Sequence, residues 1–401
     1  MSAGPANQRA MRAVYASFLL NGAGTASMLS RVPQIRDALH LRPGPLGLLL
    51  LVAAIGSLVS LPLAGSVVYR FGSARTAMAM SVTWAIGLAI VAIGTRVGTP
   101  MVAIGLFIAG FGAGQWDVAQ NVEGAAVEQG IGRSIMARFH AAFSIGTVIG
   151  ALGGVAMNAL HVDPIWHLLT VATLIGTGVP WQVRGFLPAG TADEDRDAEQ
   201  HDPWHAWTER RTLLIGLFVL CMAFSEGTGN DWLGVAAIDG YGASAALGSF
   251  AYVAFVVAMT TGRWFGPRVL DRYGRVTVLR ASALCALIGV VIVVHGPSLA
   301  TAIVGVLLWG LGSALGFPTG ISAAADDPAR SAGRVSTVAT IGYAAFLAGP
   351  SLIGTVGNHT GVLRALTITA AVLALGAGLA SATRPLQSAI PADAATVPPT
   401  P

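Results

Sequence analysis

The 401-residue chain predicts an all-α polytopic membrane protein with 12 transmembrane helices in two six-helix repeats. Three observations carry that class. Hydrophobic residues make up 54% of the chain and charged residues 10%, against roughly a quarter charged in soluble domains. Apolar runs long enough to span a bilayer recur along the sequence. Landmarks in the first half return about 200 residues later in the second.

A spanning helix needs roughly 20 mostly apolar residues. Runs of that kind occupy residues 11–30, 45–68, 76–95, 99–121, 134–157 and 164–186, then 211–233, 244–267, 277–296, 299–322, 334–356 and 361–383. The first carries Arg12 and Asn21 and lacks a small-residue cleavage site, so it reads as a span and not a removable signal. Residues 1–187 form the first bundle, 188–210 an acidic linker and 211–385 the second bundle. Residues 386–401 form an Ala/Pro/Thr-rich tail expected to be disordered. The linker holds seven of the 19 acidic residues.

All 23 basic residues are arginine, which excludes Schiff-base or P-loop chemistry built on lysine. A net charge of only +4 is a poor footprint for nucleic acid. The arginines sort by position instead. With the N-terminus inside, 18 lie at inner flanks and five (Arg31, Arg36, Arg42, Arg96, Arg364) at outer ones. The positive-inside rule therefore places both termini and the linker in the cytoplasm of a bacterial inner membrane. Cys221 and Cys285 stand apart in apolar runs and read as core residues. No HExxH, Gly-x-Ser-x-Gly or Walker A string occurs, so hydrolytic or ATP-driven chemistry lacks a motif. No metal or cofactor is expected.

The repeat is explicit in two places. Arg70-Phe71-Gly72 and Arg272-Tyr273-Gly274 lie 202 residues apart, and Gly132-Arg133 and Gly333-Arg334 lie 201 apart. Paired repeats around a central site are a transporter architecture. The loop after the eighth span, with Asp271, Arg272, Gly274 and Arg275, resembles the GxxxDRxGR signature of the major facilitator superfamily. The copy after the second span keeps Gly65, Arg70 and Gly72 but has Tyr69 in place of the aspartate and Ser73 in place of the last arginine. The strings Ser30–Leu39, Asn121–Glu128, Met222–Leu233, Gly310–Pro318 and Ala339–Pro350 resemble the YbjJ/MosC branch, related to fucose permeases. The resemblance implies the major facilitator fold and transport by alternating access. It also implies that Asp271, Arg272, Gly274 and Arg275 form a conformational latch, with Asp271 pairing an arginine at a neighbouring helix end. Tyr69 cannot do the same, so the latch is expected to lean on Asp271.

Ionisable residues inside a span are costly and usually face a cavity or a partner. In the fourth span Asp117, Gln120 and Asn121 follow i, i+3, i+4 spacing and share one helical face. In the fifth, Arg138 lies at a depth similar to Asp117, so an Asp117–Arg138 ion pair is expected. Such a pair would keep Asp117 charged and make it a poor proton carrier. His140 is a substrate hydrogen-bonder or proton site, or a structural group, and Ser144 lies one turn further. In the seventh, Glu226 has no arginine nearby in its own helix and Asn230 one turn on. An unpaired carboxyl there is expected to rest neutral and to exchange a proton, which favours Glu226 over Asp117 as coupling group. Tyr343 in the eleventh span is a further lining candidate. Arg263 reads as snorkelling to the interface. Pro318 is expected to kink the tenth helix. Small-residue spacing at Gly146, Gly150 and Gly154 lets helices approach closely.

The combined reading is a monomeric secondary transporter that takes up a small polar solute, a sugar or sugar derivative, with the proton as coupling ion and the lipid bilayer as its solvent. The alternatives are a proton-driven exporter and a non-transporting receptor. The 188–210 linker is too small to be the receptor's effector domain.

Overall fold

The computed structural model describes residues 4–41, 43–188, 203–243 and 245–386. Nearly all of the expected tail, and linker residues 189–202, lie outside the described residues. Fifteen α-helices are formed: α1 (Pro5–Leu29), α2 (Val32–Ala38), α3 (Pro43–Phe71), α4 (Ser73–Val97), α5 (Thr99–Ile131), α6 (Met136–Ala159), α7 (Pro164–Gln182), α8 (Arg210–Tyr241), α9 (Ala245–Tyr273), α10 (Arg275–His295), α11 (Leu299–Ser313), α12 (Gly316–Ala324), α13 (Ser331–Thr360), α14 (Val362–Ala365) and α15 (Thr367–Leu379). Each of the 12 runs read from the sequence falls on one long helix or on a helix broken once. A short 3₁₀ turn, Pro203–Trp207, precedes α8.

Eight of these segments are long and apolar enough to cross a membrane by length and composition; α1, α7, α9 and α13 fall short. All four carry interior polar groups: Ser17 and Asn21 on α1, His167 on α7, Arg263 on α9, and Ser336 and Thr337 on α13 are buried. The outward faces carry Ile55, Val59 and Leu63 on α3 and Val253 and Val257 on α9, all exposed. Lipid tails are as apolar as these side chains, so such a surface is stable in a bilayer.

Two helices run further than apolar length predicts. The fourth span ends near residue 121 by composition, yet α5 continues to Ile131, where Gly132 closes it in a left-handed conformation (φ +67°). Glu128 therefore sits in the last turn of α5. The seventh span continues to Tyr241. The tenth is broken between Ser313 and Gly316. That break lies one turn before Pro318, because proline has no N–H for the carbonyl of residue i−4 and its ring clashes there. The orphaned carbonyl is that of Ala314.

α1, α3, α4, α5, α6 and α7 pack as one bundle and α8–α15 as another. The bundles meet along two seams, α3 with α13 and α6 with α9. The signature loops are one-residue connections at Gly72 (φ +81°) and Gly274 (φ +80°), which only glycine adopts without strain. Each reverses the chain into the next helix at the end of the bundle that carries the linker. Hydrogen bonds between the halves close that end. Ser322 Oγ donates to Glu128, Gln129 Nε2 to the Ala325 carbonyl, Ser134 N to Asp271 Oδ1 (3.0 Å) and Ser336 Oγ to the Leu61 carbonyl (2.6 Å).

Candidate functional site

The helical spacing of Asp117, Gln120 and Asn121 places all three on the interior face of α5, and all are buried. A chain of hydrogen bonds runs through them. Trp116 Nε1 donates to Ser17 Oγ (3.0 Å), Ser17 Oγ to Gln120 Oε1 (2.9 Å), and Gln120 Nε2 to Asp117 Oδ1 (3.1 Å). The other carboxyl oxygen, Oδ2, accepts from the Tyr343 hydroxyl across the divide between halves (3.0 Å). Asn121 Nδ2 donates to the Asp117 carbonyl (2.8 Å) and its Oδ1 meets His140 Nε2 (3.1 Å). The His140 ring lies against Phe18 and, in the other half, Phe317. Phe317 also packs edge-on to Tyr343.

The expected Asp117–Arg138 ion pair does not form. Arg138 points instead to the α6–α9 seam, where its Nε donates to the Trp264 carbonyl (3.3 Å). Equal depth on two helices does not make two residues face each other; the helical phase decides. Among the described residues no arginine or histidine forms an ion pair with Asp117.

The expectation for Glu226 is overturned in the opposite sense. Its Oε2 accepts from Arg263 Nη2 at 2.7 Å, an ion pair with both side chains largely buried. The partner comes from α9, which a search along α8 alone could not find. Arg263 does not snorkel: it is 5% exposed. Nη1 donates to Ser144 Oγ in the other half (3.1 Å) and Nε to the Ala314 carbonyl (3.3 Å). That carbonyl is the one Pro318 strips of its helical donor. The proline thus makes the acceptor, and the acceptor holds the guanidinium inside the protein. This was the one signal in the sequence that could have brought Arg263 to the centre. Ser144 in turn donates to the His140 carbonyl (3.2 Å). Asn230 lies half-buried one turn beyond Glu226.

The proposed latch is also rearranged. Asp271 takes the Ser134 backbone N–H in the turn before α6, not an arginine. A carboxylate there suits the free donors and partial positive charge at a helix start. Arg275 pairs with Asp326 (2.9 and 3.0 Å), which also takes Arg211 (2.6 Å). Arg272 lies over the Tyr273 ring and joins neither contact. In the first half Ser73 stands where Arg275 stands in the second and donates to Glu123 (2.5 Å), whose other oxygen accepts from Leu187 N (2.6 Å). Asp326, Glu128 and Ser17 connect these networks through Arg275, Ser322 and Gln120, each more than 50 residues away and beyond the reach of local spacing, while Glu128 Oε2 also accepts from the Ile135 and Met136 N–H groups (2.6 and 2.7 Å). Clefts of about 200 and 220 Å³ open at the linker end and share Glu128, Ser134, Arg275 and Ser322.

The glycine stripe of α6 has a packing role. A Cβ on Gly146 or Gly150 would lie 2.0 or 2.2 Å from the carbonyl oxygens of Leu19 and Ala23. These residues bring α6 onto α1 within one half.

The family model for the Major Facilitator Superfamily matches residues 14–350. The chain is 33% identical to an uncharacterized transporter, y4wD, of Sinorhizobium fredii, over 86% of this chain and 90% of that one. It is 28% identical to the membrane protein MosC of Rhizobium meliloti, over 92% of this chain and 88% of that one. Among solved structures it is similar to FucP in the outward conformation, with a TM-score of 0.79 at 15% identity, covering 94% of this chain and 98% of that one. It is similar also to the proton:xylose symporter XylE, with a TM-score of 0.72 at 14% identity over 94% and 95% of the two chains. With two six-helix bundles meeting at a buried polar centre, the chain belongs to the major facilitator superfamily of membrane transporters.

Proposed function

We propose that this transporter carries a small polar solute, a sugar or sugar derivative, inward together with a proton. The solute binds between the halves at Asp117, Gln120, Asn121, His140, Ser144, Glu226, Asn230 and Tyr343, and the linker end is cytoplasmic. The carrying observation is the contrast between two buried carboxyls. Glu226 is balanced by Arg263, whereas among the described residues Asp117 is met by neutral donors such as Gln120 and Tyr343 and by no cation. An unbalanced carboxylate away from water is costly, and one proton removes the cost. Asp117 is therefore the coupling group, and not Glu226. Its bond to Tyr343 spans the two halves, so protonation changes a contact that has to break when the halves rock apart. The fucose:proton and xylose:proton symporters of the same fold support the reading by analogy. So does the bias of arginine toward the linker end, which supports a cytoplasmic location for both termini in a bacterial inner membrane. Asp271 and Gly274 serve the latch that holds the cytoplasmic end shut, with Arg275 bracing it through Asp326.

Purified protein stabilised against heat by one solute of a sugar and polyol panel identifies the ligand for reconstitution. At one proton per solute, a one-unit pH difference drives about tenfold accumulation. Asp117→Asn is expected to abolish that accumulation while leaving solute exchange intact. Gradient-driven uptake by Asp117→Asn at the parent level would exclude Asp117, and uptake by the parent that ignores the gradient would exclude proton coupling altogether.

A further inference from the structure

The two seams that close the linker end are built from different parts. At the α6–α9 seam the signature aspartate, Asp271, crosses to the turn before α6. The matching residue of the first repeat is Tyr69, which is exposed and carries no carboxylate. The α3–α13 seam is nonetheless close. A Cβ on Gly65 of α3 would lie 3.0 Å from the Ala332 carbonyl oxygen of α13, and Ser336 bonds to the Leu61 carbonyl.

The chain between the bundles supplies what the first repeat lacks. The 3₁₀ turn Pro203–Trp207 packs against both α3 and α13, and its own Ala206 is buried. Two residues later Glu209 takes Arg334, near the start of α13, through two hydrogen bonds of 2.6 and 3.1 Å. Arg330 adds a longer contact of 3.6 Å and Thr212 Oγ1 a bond of 2.7 Å. Arg334 is 8% exposed. Its counterpart in the first repeat, Arg133, is exposed. Asp327, seven residues before Arg334, adds a contact of 3.3 Å, but the two shorter bonds of the buried arginine, of 2.6 and 3.1 Å, go to the linker's Glu209, which has no counterpart at Arg133 among the described residues. We propose that Glu209 is a positioning residue for the transport cycle: it stands in for the missing signature aspartate by pinning the 203–207 strap across the α3–α13 seam. The strap must release for the linker end to open, so the two seams open through different locks, one written in the repeat and one in the linker.

The test reads seam opening and not transport. In a chain with Cys221 and Cys285 replaced by alanine, Ser336→Cys places one thiol inside the α3–α13 seam. Its rate of labelling by a maleimide, in purified detergent-solubilised protein, reports how often that seam opens. Glu209→Gln is expected to raise the rate about tenfold, the shift carried by one charge-assisted hydrogen bond. Tyr69→Asp, added to Glu209→Gln, restores the carboxylate at its place in the repeat and is expected to bring the rate back toward the parent's. A Glu209→Gln rate within twofold of the parent in monodisperse protein overturns the lock. A raised rate that Tyr69→Asp leaves unchanged overturns the substitution of one carboxylate for the other. A fold merely loosened by Glu209→Gln would not be repaired from Tyr69.

Discussion

The α4–α5 pair of the first half and the α10–α11 pair of the second pack through the same glycines. A Cβ on Gly87 would lie 2.4 Å from Ala109 N, and one on Gly289 would lie 2.4 Å from Trp309 N. Gly110 meets the Ala53 carbonyl, and Gly310, 200 residues later, meets that of Phe255. In that register Asp117 corresponds to Phe317, and, 202 residues before Arg263, the first half has Leu61. A tryptophan donates to a serine in both halves, Trp116 to Ser17 and Trp309 to Ser225, but the second pair is displaced by seven residues, two helical turns. Backbones in contact leave no room for a side chain, so duplication preserves those glycines. A polar side chain needs only its partner, and partners differ between halves, so the charges have diverged. A transporter built on pseudo-symmetric bundles can therefore carry an asymmetric centre at little structural cost.

The sharpest way to break the comparison is to leave one charge of that centre alone. Arg263→Gln strands Glu226 and frees the Ala314 carbonyl, and should cost about 3–5 kcal/mol in detergent unfolding. The double change with Glu226→Gln should recover much of it. A double variant no more stable than Arg263→Gln alone would show that the arginine's main partner is not Glu226. The scaffold half of the comparison makes a milder prediction. Gly87→Val and Gly289→Val should each lose about 1–3 kcal/mol by overpacking, and by similar amounts. A loss confined to one half would mean that the two glycine contacts are not equivalent. Smaller still, Trp116→Phe and Trp309→Phe each remove one buried hydrogen bond and should cost about 1 kcal/mol. Thermal shifts that differ widely between them would deny the displaced pair its shared role.

The smallest effect belongs to the linker. Burial alone would raise the Glu209 carboxyl, but hydrogen bonds from Arg334 and Thr212 and the charges of Arg334 and Arg330 outweigh it and hold it below the usual carboxylate range. A folded-state value below the unfolded one gives stability that is present above the unfolded value and is lost as pH falls through the folded one. The parent should therefore lose more stability than Glu209→Gln on acidification through that window. Parallel losses in the two proteins would show that Glu209 is not held ionised by its partners.

Much of this was legible in the residues. Twelve runs of apolar length, the Arg-x-Gly repeat and the spacing of Asp117, Gln120 and Asn121 each follow from local rules of span length, duplication and helical phase. Where helices run on past the bilayer was not legible, because composition measures apolar thickness while α5 continues to contacts with the other half. Nor was the charge pairing. Glu226 looked unpaired along α8 and Asp117 looked paired by depth, and packing reversed both.

The sequence by itself determined that this chain lives in a bilayer, how many times it crosses, that it is a duplication and that Asp117, Gln120 and Asn121 share one face, since each of these depends on neighbours within one helix or on a fixed offset. Only the tertiary structure decided which of those residues share a hydrogen bond. Arg263 on α9 reaches Glu226 on α8, Ser144 on α6 and a carbonyl freed by Pro318 at the α11–α12 break, and a contact of that kind is set by how helices are rotated against one another, which no single segment encodes.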